Sequence, residues 1–138
     1  MRNALILFAP LLLAGCINES ASYYIDGNQH VLTVRAVQNY FWNKHAQLRL
    51  IASRLPECQR QMELGDVPVD AFEIEVFAHA NNVYTLRADD QVWQVETQGC
   101  SQMETPTGAA PGQLVGTFYL DADDKMVFEA AQAGTASR

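Results

Sequence analysis

The chain has 138 residues, 49% of them hydrophobic, with 16 acidic and 9 basic side chains and a formal charge of −7. That length builds one domain with a substantial core and excludes two comfortable ones. The acidic balance is repelled by phosphate backbones and anionic head groups, which excludes nucleic acid as a natural partner and a domain lying flat on anionic lipid.

In chain order, residues 1–15 read as an export signal. Arg2 supplies the positive charge, and the run from Ala4 to Leu13 is apolar and uncharged. At about ten residues it is too short to cross a hydrocarbon core, which takes roughly 20 as a helix. Leu13-Ala14-Gly15-Cys16 follows and resembles the lipobox of bacterial lipoproteins. An ordinary secretory signal or a buried strand would not require charge, length, small residues and Cys to coincide. The resemblance implies cleavage before Cys16, a diacylglyceryl group on its thiol and acylation of the new amine. One acyl chain holds a protein only marginally, at about 0.8 kcal/mol per buried CH₂, whereas two or three make a durable anchor. Ile17 comes next, not Asp. In enteric bacteria that choice goes with sorting to the outer membrane, so the expected location is that membrane, with the domain facing the periplasm. Cleavage takes 15 of the 138 residues, leaving 123, and loss of Arg2 moves the charge from −7 to −8.

The other two cysteines are Cys58 and Cys100. In the oxidising compartment that an exported chain meets, such a pair is expected to form a disulfide. Closing a loop of roughly 43 residues adds about 4 kcal/mol in the chain-entropy model, an upper-end figure. A metal pair or a catalytic thiol is the alternative. Neither Cys lies in a C-x-x-C, and a free periplasmic thiol tends to oxidise.

Residues 16–21 are expected to be the lipidated Cys and a short polar tether, spanning on the order of 12 Å as a flexible coil. Residues 22–130 are the expected β domain and residues 131–138 a disordered tail rich in Ala, Gly, Thr and Ser. Tyr23-Tyr24-Ile25 runs into Asp26-Gly27, a two-residue hairpin signal. Residues 30–38 alternate, Val31, Thr33 and Arg35 against Leu32, Val34 and Ala36. Asn43-Lys44 is the next expected turn. Residues 46–53 fit a helix face through Leu48, Ile51, Ala52 and Leu55 and a strand face through Ala46, Leu48, Leu50 and Ala52; strand is chosen because its neighbours are strands and Pro56 follows. Residues 71–79 put Phe72, Ile74 and Val76 on one face and Glu73, Glu75 and Phe77 on the other. After an Asn81-Asn82 turn, residues 83–87 and 92–96 complete a three-strand meander around Asp89-Asp90. Residues 101–113 are expected as loop, and residues 114–120 and 126–128 as a last hairpin. About eight short strands at this spacing predict an all-β fold, an antiparallel β-sandwich or a small β-barrel.

Several chemistries fail on spacing. His30, His45 and His79 have no i, i+4 partner, so no metal is expected on them. Asp121-Ala122-Asp123-Asp124-Lys125 lacks the glycine and the twelfth-position Glu of a calcium loop and reads as a hairpin turn. Glu73 and Glu75, about 7 Å apart on one strand face, read as a polar outer face. No serine sits in a nucleophile elbow, and no glycine loop cradles phosphate. Tyr40-Phe41-Trp42 is the notable cluster. Three aromatics in extended chain put rings on both faces. Core packing near a hairpin end is the ordinary outcome; a binding surface is the alternative, since exposed rings anchor partners. Trp93 and Tyr84 are expected in the core.

Tyr40-Phe41-Trp42, the stretch Leu55-Pro56-Glu57-Cys58-Gln59-Arg60 and Gly99-Cys100 together resemble small lipoproteins of Gram-negative bacteria, most like those of the betaproteobacteria. No activity is attached to that group, so no functional residue is carried over. The expectation is a non-catalytic, lipid-anchored envelope protein that takes no cofactor and whose β domain binds an envelope protein or helps organise the outer membrane. The alternative is a barrel for a small glycan or lipid, with Tyr40, Phe41 and Trp42 at its mouth.

Overall fold

The computed structural model describes residues 16–104 and 112–132. The export signal expected over residues 1–15, residues 105–111 of the expected loop and residues 133–138 of the expected tail lie outside that description.

Alternation of apolar and polar residues makes strands, because successive side chains point to opposite sheet faces. Four strands, β1 (Asn18–Asp26), β2 (His30–Val37), β3 (His45–Arg54) and β4 (Cys58–Pro68), form one antiparallel sheet in chain order. Six more, β5 (Glu73–Ala78), β6 (Val83–Ala88), β7 (Gln91–Glu96), β8 (Ser101–Met103), β9 (Gln113–Leu120) and β10 (Met126–Ala130), form a second. Its order, β10-β9-β5-β6-β7-β8, has the chain meander through β8 and then return to pair β9 with β5. Among the described residues, helix is limited to single 3₁₀ turns at Val69–Ala71 and Ala80–Asn82. The fold is an all-β sandwich of two antiparallel sheets.

The inner faces meet in one apolar cluster. Leu32, Val34, Leu48 and Leu50 come from the first sheet and Ile74, Val76, Leu86 and Phe118 from the second, all with no exposed surface. Each such side chain contributes about 1.5–3 kcal/mol when it leaves water. Tyr84 and Trp93 are buried there as expected. Both open sides of the sandwich are closed by specific contacts. On one, the Trp93 indole N–H donates to the Leu64 carbonyl at 2.8 Å, and Cys58 is bonded to Cys100 with Cα atoms 5.9 Å apart. On the other, the Tyr23 and Phe128 rings lie 4.9 Å apart and Lys125 meets Glu19 at 3.8 Å. The bare Cα of Gly116 is what lets Phe128 lie so close, since a Cβ there would stand 2.2 Å from Phe128 Cζ.

The structure corrects several sequence expectations. Residues 46–53 are strand, as chosen, within β3. The tether expected over residues 16–21 is absent: from Asn18 the chain is already paired strand, because Ile17, Ala21, Tyr23 and Ile25 alternate inward and pack against the core. The first hairpin turns through Gly27, Asn28 and Gln29, with Gly27 alone at positive φ, so it is not the two-residue turn expected at Asp26-Gly27. Two strands went unanticipated. β8 lies in the expected loop, and β4 hides its alternation because a bulge opposite Leu48 and Arg49 leaves Leu64 without a partner, shifting the buried set from Met62 and Leu64 to Val67. The count is therefore ten rather than about eight.

Candidate functional site

The β1–β2 hairpin brings its two outer ends together, with Asn18 opposite Val37. One step further out, the Ile17 carbonyl accepts from the Gln38 backbone N–H at 2.7 Å and the Gln38 side-chain oxygen accepts from the Ile17 N–H at 3.2 Å. Cys16, exposed, comes next, and its Sγ stands 3.7 Å from the Asn39 carbonyl oxygen. The residue expected to carry lipid therefore sits at the root of the β2–β3 loop.

That loop carries Tyr40, Phe41 and Trp42. Core packing, the ordinary expectation, does not occur: the three are 55%, 61% and 66% exposed. The physical reason is a tight turn, not extended chain. The Asn43 N–H donates to the Tyr40 carbonyl at 3.0 Å, which bends the segment two residues before the turn expected at Asn43-Lys44 and throws all three rings outward. They pack on one another instead. Tyr40 stacks on Trp42 with centroids 4.9 Å apart and planes 17° apart, and Phe41 meets Trp42 edge-on at 4.8 Å. Beneath them Gln38, only 7% exposed, ties the loop shut by donating from its side chain to the Asn43 carbonyl as well as holding Ile17. The Val69 N–H donates to the Lys44 carbonyl at 3.0 Å, fixing the loop's far side.

Acidic hairpins surround this end. Asp66, Asp89 and Asp90 join His45, Pro68 and Phe72 around an open cleft of about 230 Å³, below the roughly 300–1,000 Å³ of ordinary small-molecule sites. Asp121 caps its own turn, its carboxylate accepting from the Asp123 and Lys125 N–H groups at 2.9 Å each, so Asp121 to Lys125 is a hairpin turn as the sequence suggested.

The opposite end holds different chemistry. The Cys58–Cys100 disulfide lies there, as expected from the cysteine count. His30 and the fully buried Thr97 share a 2.7 Å hydrogen bond, and burial, aided by Arg54, holds the imidazole below its usual range against the opposing pull of Asp26. Glu96 is held below the usual carboxylate range by the Ser101 hydroxyl and the Gly99 N–H. His79 bonds Thr85 at 2.7 Å, while His45 opens β3, so the three histidines are not gathered. Glu75 accepts from Arg87 at 2.8 Å, and the Arg87 guanidinium in turn covers Phe77 at 5.0 Å, which leaves no paired carboxylates with Glu73. Among the described residues, no group of three or more His, Cys, Asp or Glu is placed to hold a metal ion.

Family models, curated proteins and solved structures all return no match to the chain. Among the described residues no helix is long and apolar enough to cross a membrane.

Sequence reasoning singled out Cys16 and the aromatic trio separately and missed that they adjoin. It also missed Gln38, which holds both. The observed register, with Asn18 opposite Val37 and Tyr24 opposite Val31, sets residue 16 opposite residue 39, whereas the two-residue turn expected at Asp26-Gly27 would set it opposite residue 37.

Proposed function

We propose that this chain is a lipid-anchored envelope protein, attached through Cys16, whose β-sandwich binds a protein partner and does no chemistry of its own. One observation carries the reading: the cysteine that ends a lipobox-like motif stands exposed at the first step of the folded domain. Acyl chains on that sulfur would reach a bilayer without disturbing any buried contact. The Cys58–Cys100 bond is in keeping with export, since such bonds persist outside the reducing cytosol. The outer membrane is the favoured location because Ile17, not Asp, follows the cysteine.

Binding is favoured over catalysis by how the perturbed groups are spent. His30 and Glu96, whose proton affinities are shifted, commit their hydrogen bonds to Thr97, Gly99 and Ser101 within the fold. The small-ligand barrel has less support, because side chains from both sheets fill the space between them in one cluster. Crosslinking in intact cells, followed by purification of the chain from envelopes, is expected to recover one specific envelope protein. Recovery of none, with the chain itself captured, contradicts the partner-binding role.

A further inference from the structure

We propose that the Tyr40-Phe41-Trp42 loop is a second membrane contact, seated in the head-group layer of a zwitterionic phospholipid surface beside the lipid on Cys16; this rests on the anchoring reading above. Three observations lead there. The first is place. Cys16 Sγ is 3.7 Å from the Asn39 carbonyl, so the glycerol end of an attached lipid begins where the loop begins. No slack intervenes, because Ile17 is already held to Gln38 by two hydrogen bonds. The domain cannot stand off from its own anchor as it would on a flexible tether.

The second is chemistry. Trp and Tyr concentrate at membrane–water interfaces, where an apolar ring is buried and a polar N–H or O–H stays wet. Trp42 and Tyr40 supply that pair, with Phe41 between them, and all three are more than half exposed. A contiguous exposed aromatic patch on a small acidic domain marks a surface that meets something apolar. The third is order. Gln38, the Tyr40–Asn43 turn and the Lys44–Val69 bond hold the loop in one shape before any contact forms. Little conformational entropy is then lost on seating, which is how preorganised surfaces gain affinity.

Charge sets which lipid. Asp89 and Asp90 sit with His45 on the neighbouring cleft, and the Asp121 to Asp124 hairpin is tied to β1 through Lys125 and Glu19. Lys44 is the loop's own cation. The acidic hairpins repel anionic head groups, but beyond about 8 Å at physiological salt that repulsion is screened. Neutral head groups therefore favour seating of the rings, and a strongly anionic surface at low salt opposes it.

The test uses the full chain made in a Gram-negative bacterium and returned to phosphatidylcholine vesicles. These carry bromine near the glycerol or near the chain ends. The protein has two tryptophans, and Trp93 is buried with its N–H bonded to Leu64. The emission lost on Trp42→Phe thus isolates the loop residue without touching the core. That component is expected to be blue-shifted and quenched several-fold more by shallow than by deep bromine. It is also expected to lose quenching in phosphatidylglycerol-rich vesicles at low salt and to regain it when salt is added. An acylated, vesicle-bound protein whose Trp42 is quenched by aqueous iodide and not by bromolipid overturns the loop's role and leaves the anchor standing. A chain with no acyl mass that fails to sediment with vesicles overturns the anchor, and the loop's role with it.

Discussion

The two ends of the sandwich are finished in opposite ways. At the end holding Cys58 and Cys100, the disulfide, His30 and Glu96 are used internally, while Tyr24 and Leu55 stand singly exposed. The disulfide joins β4 to the turn after β7, His30 bonds a fully buried Thr97, and Glu96 gathers the N–H groups of Gly99 and Ser101. At the end holding Cys16, the backbone is just as well tied, through Gln38 and the Tyr40–Asn43 turn, but the largest side chains are turned to the outside. What separates the two ends is three exposed rings packed on one another beside Cys16, in keeping with the proposed membrane contact. Loose termini and loops are commonplace; a rigid loop displaying stacked aromatics beside the proposed attachment point is not explained by stability.

Perturbations should sort by end. The largest effect is expected from removing the disulfide by Cys58→Ala with Cys100→Ala, which costs about 4 kcal/mol in the chain-entropy model and reads as a lower urea midpoint. The emission of Trp42 in the folded protein should be unchanged by it. Next is Gln38→Ala, which strips a buried side chain from Ile17 and Asn43 and is expected to cost about 1–3 kcal/mol. Its distinguishing mark is a fall in Trp42 anisotropy while Trp93 is unaffected; no fall would mean that the loop is not held by Gln38.

Thr97→Val removes the partner of His30 and is expected to cost about 1 kcal/mol. The same end governs the response to acid. His30 and Glu96 both bind protons less readily in the folded chain than in the unfolded one. The unfolded state therefore takes up more protons and stability falls with pH. The fall begins below the ordinary histidine value of 6.5 and deepens below the ordinary carboxylate value of 4.5. Glu96→Gln should flatten the second stage in a pH series of urea melts, and an unaltered second stage would remove Glu96 as its source. The smallest effect on stability belongs to Tyr40→Ser with Phe41→Ser and Trp42→Ser, within about 0.5 kcal/mol because the rings are exposed. A loss of several kcal/mol there would show that the patch holds the fold and erase the contrast between the ends.

The sequence made the second sheet more legible than the first. Phe72, Ile74 and Val76 alternate without interruption, and Asn81-Asn82 and Asp89-Asp90 punctuate the meander where the structure turns. In the first sheet the period of two is disguised. Small polar residues on the outer face of β1, Ser20 and Ser22, made the strand resemble a tether, although Ile17, Ala21, Tyr23 and Ile25 carried its inner face. In β4 the bulge at Gly65, with φ of 128°, breaks the alternation midway. The disulfide followed from compartment and cysteine count alone. The aromatic trio could be noticed but not placed, since a turn and an extended strand through the same three residues bury them oppositely. Its meeting with Cys16 depends on hairpin register, which the misread tether concealed.

The whole account depends on acyl chains at Cys16. Intact-mass measurement of the chain purified from the membrane fraction tests this directly. The expected product begins at Cys16, lacks residues 1–15 and carries the added mass of two or three acyl chains. A product that keeps Met1 or bears no acyl mass would contradict it.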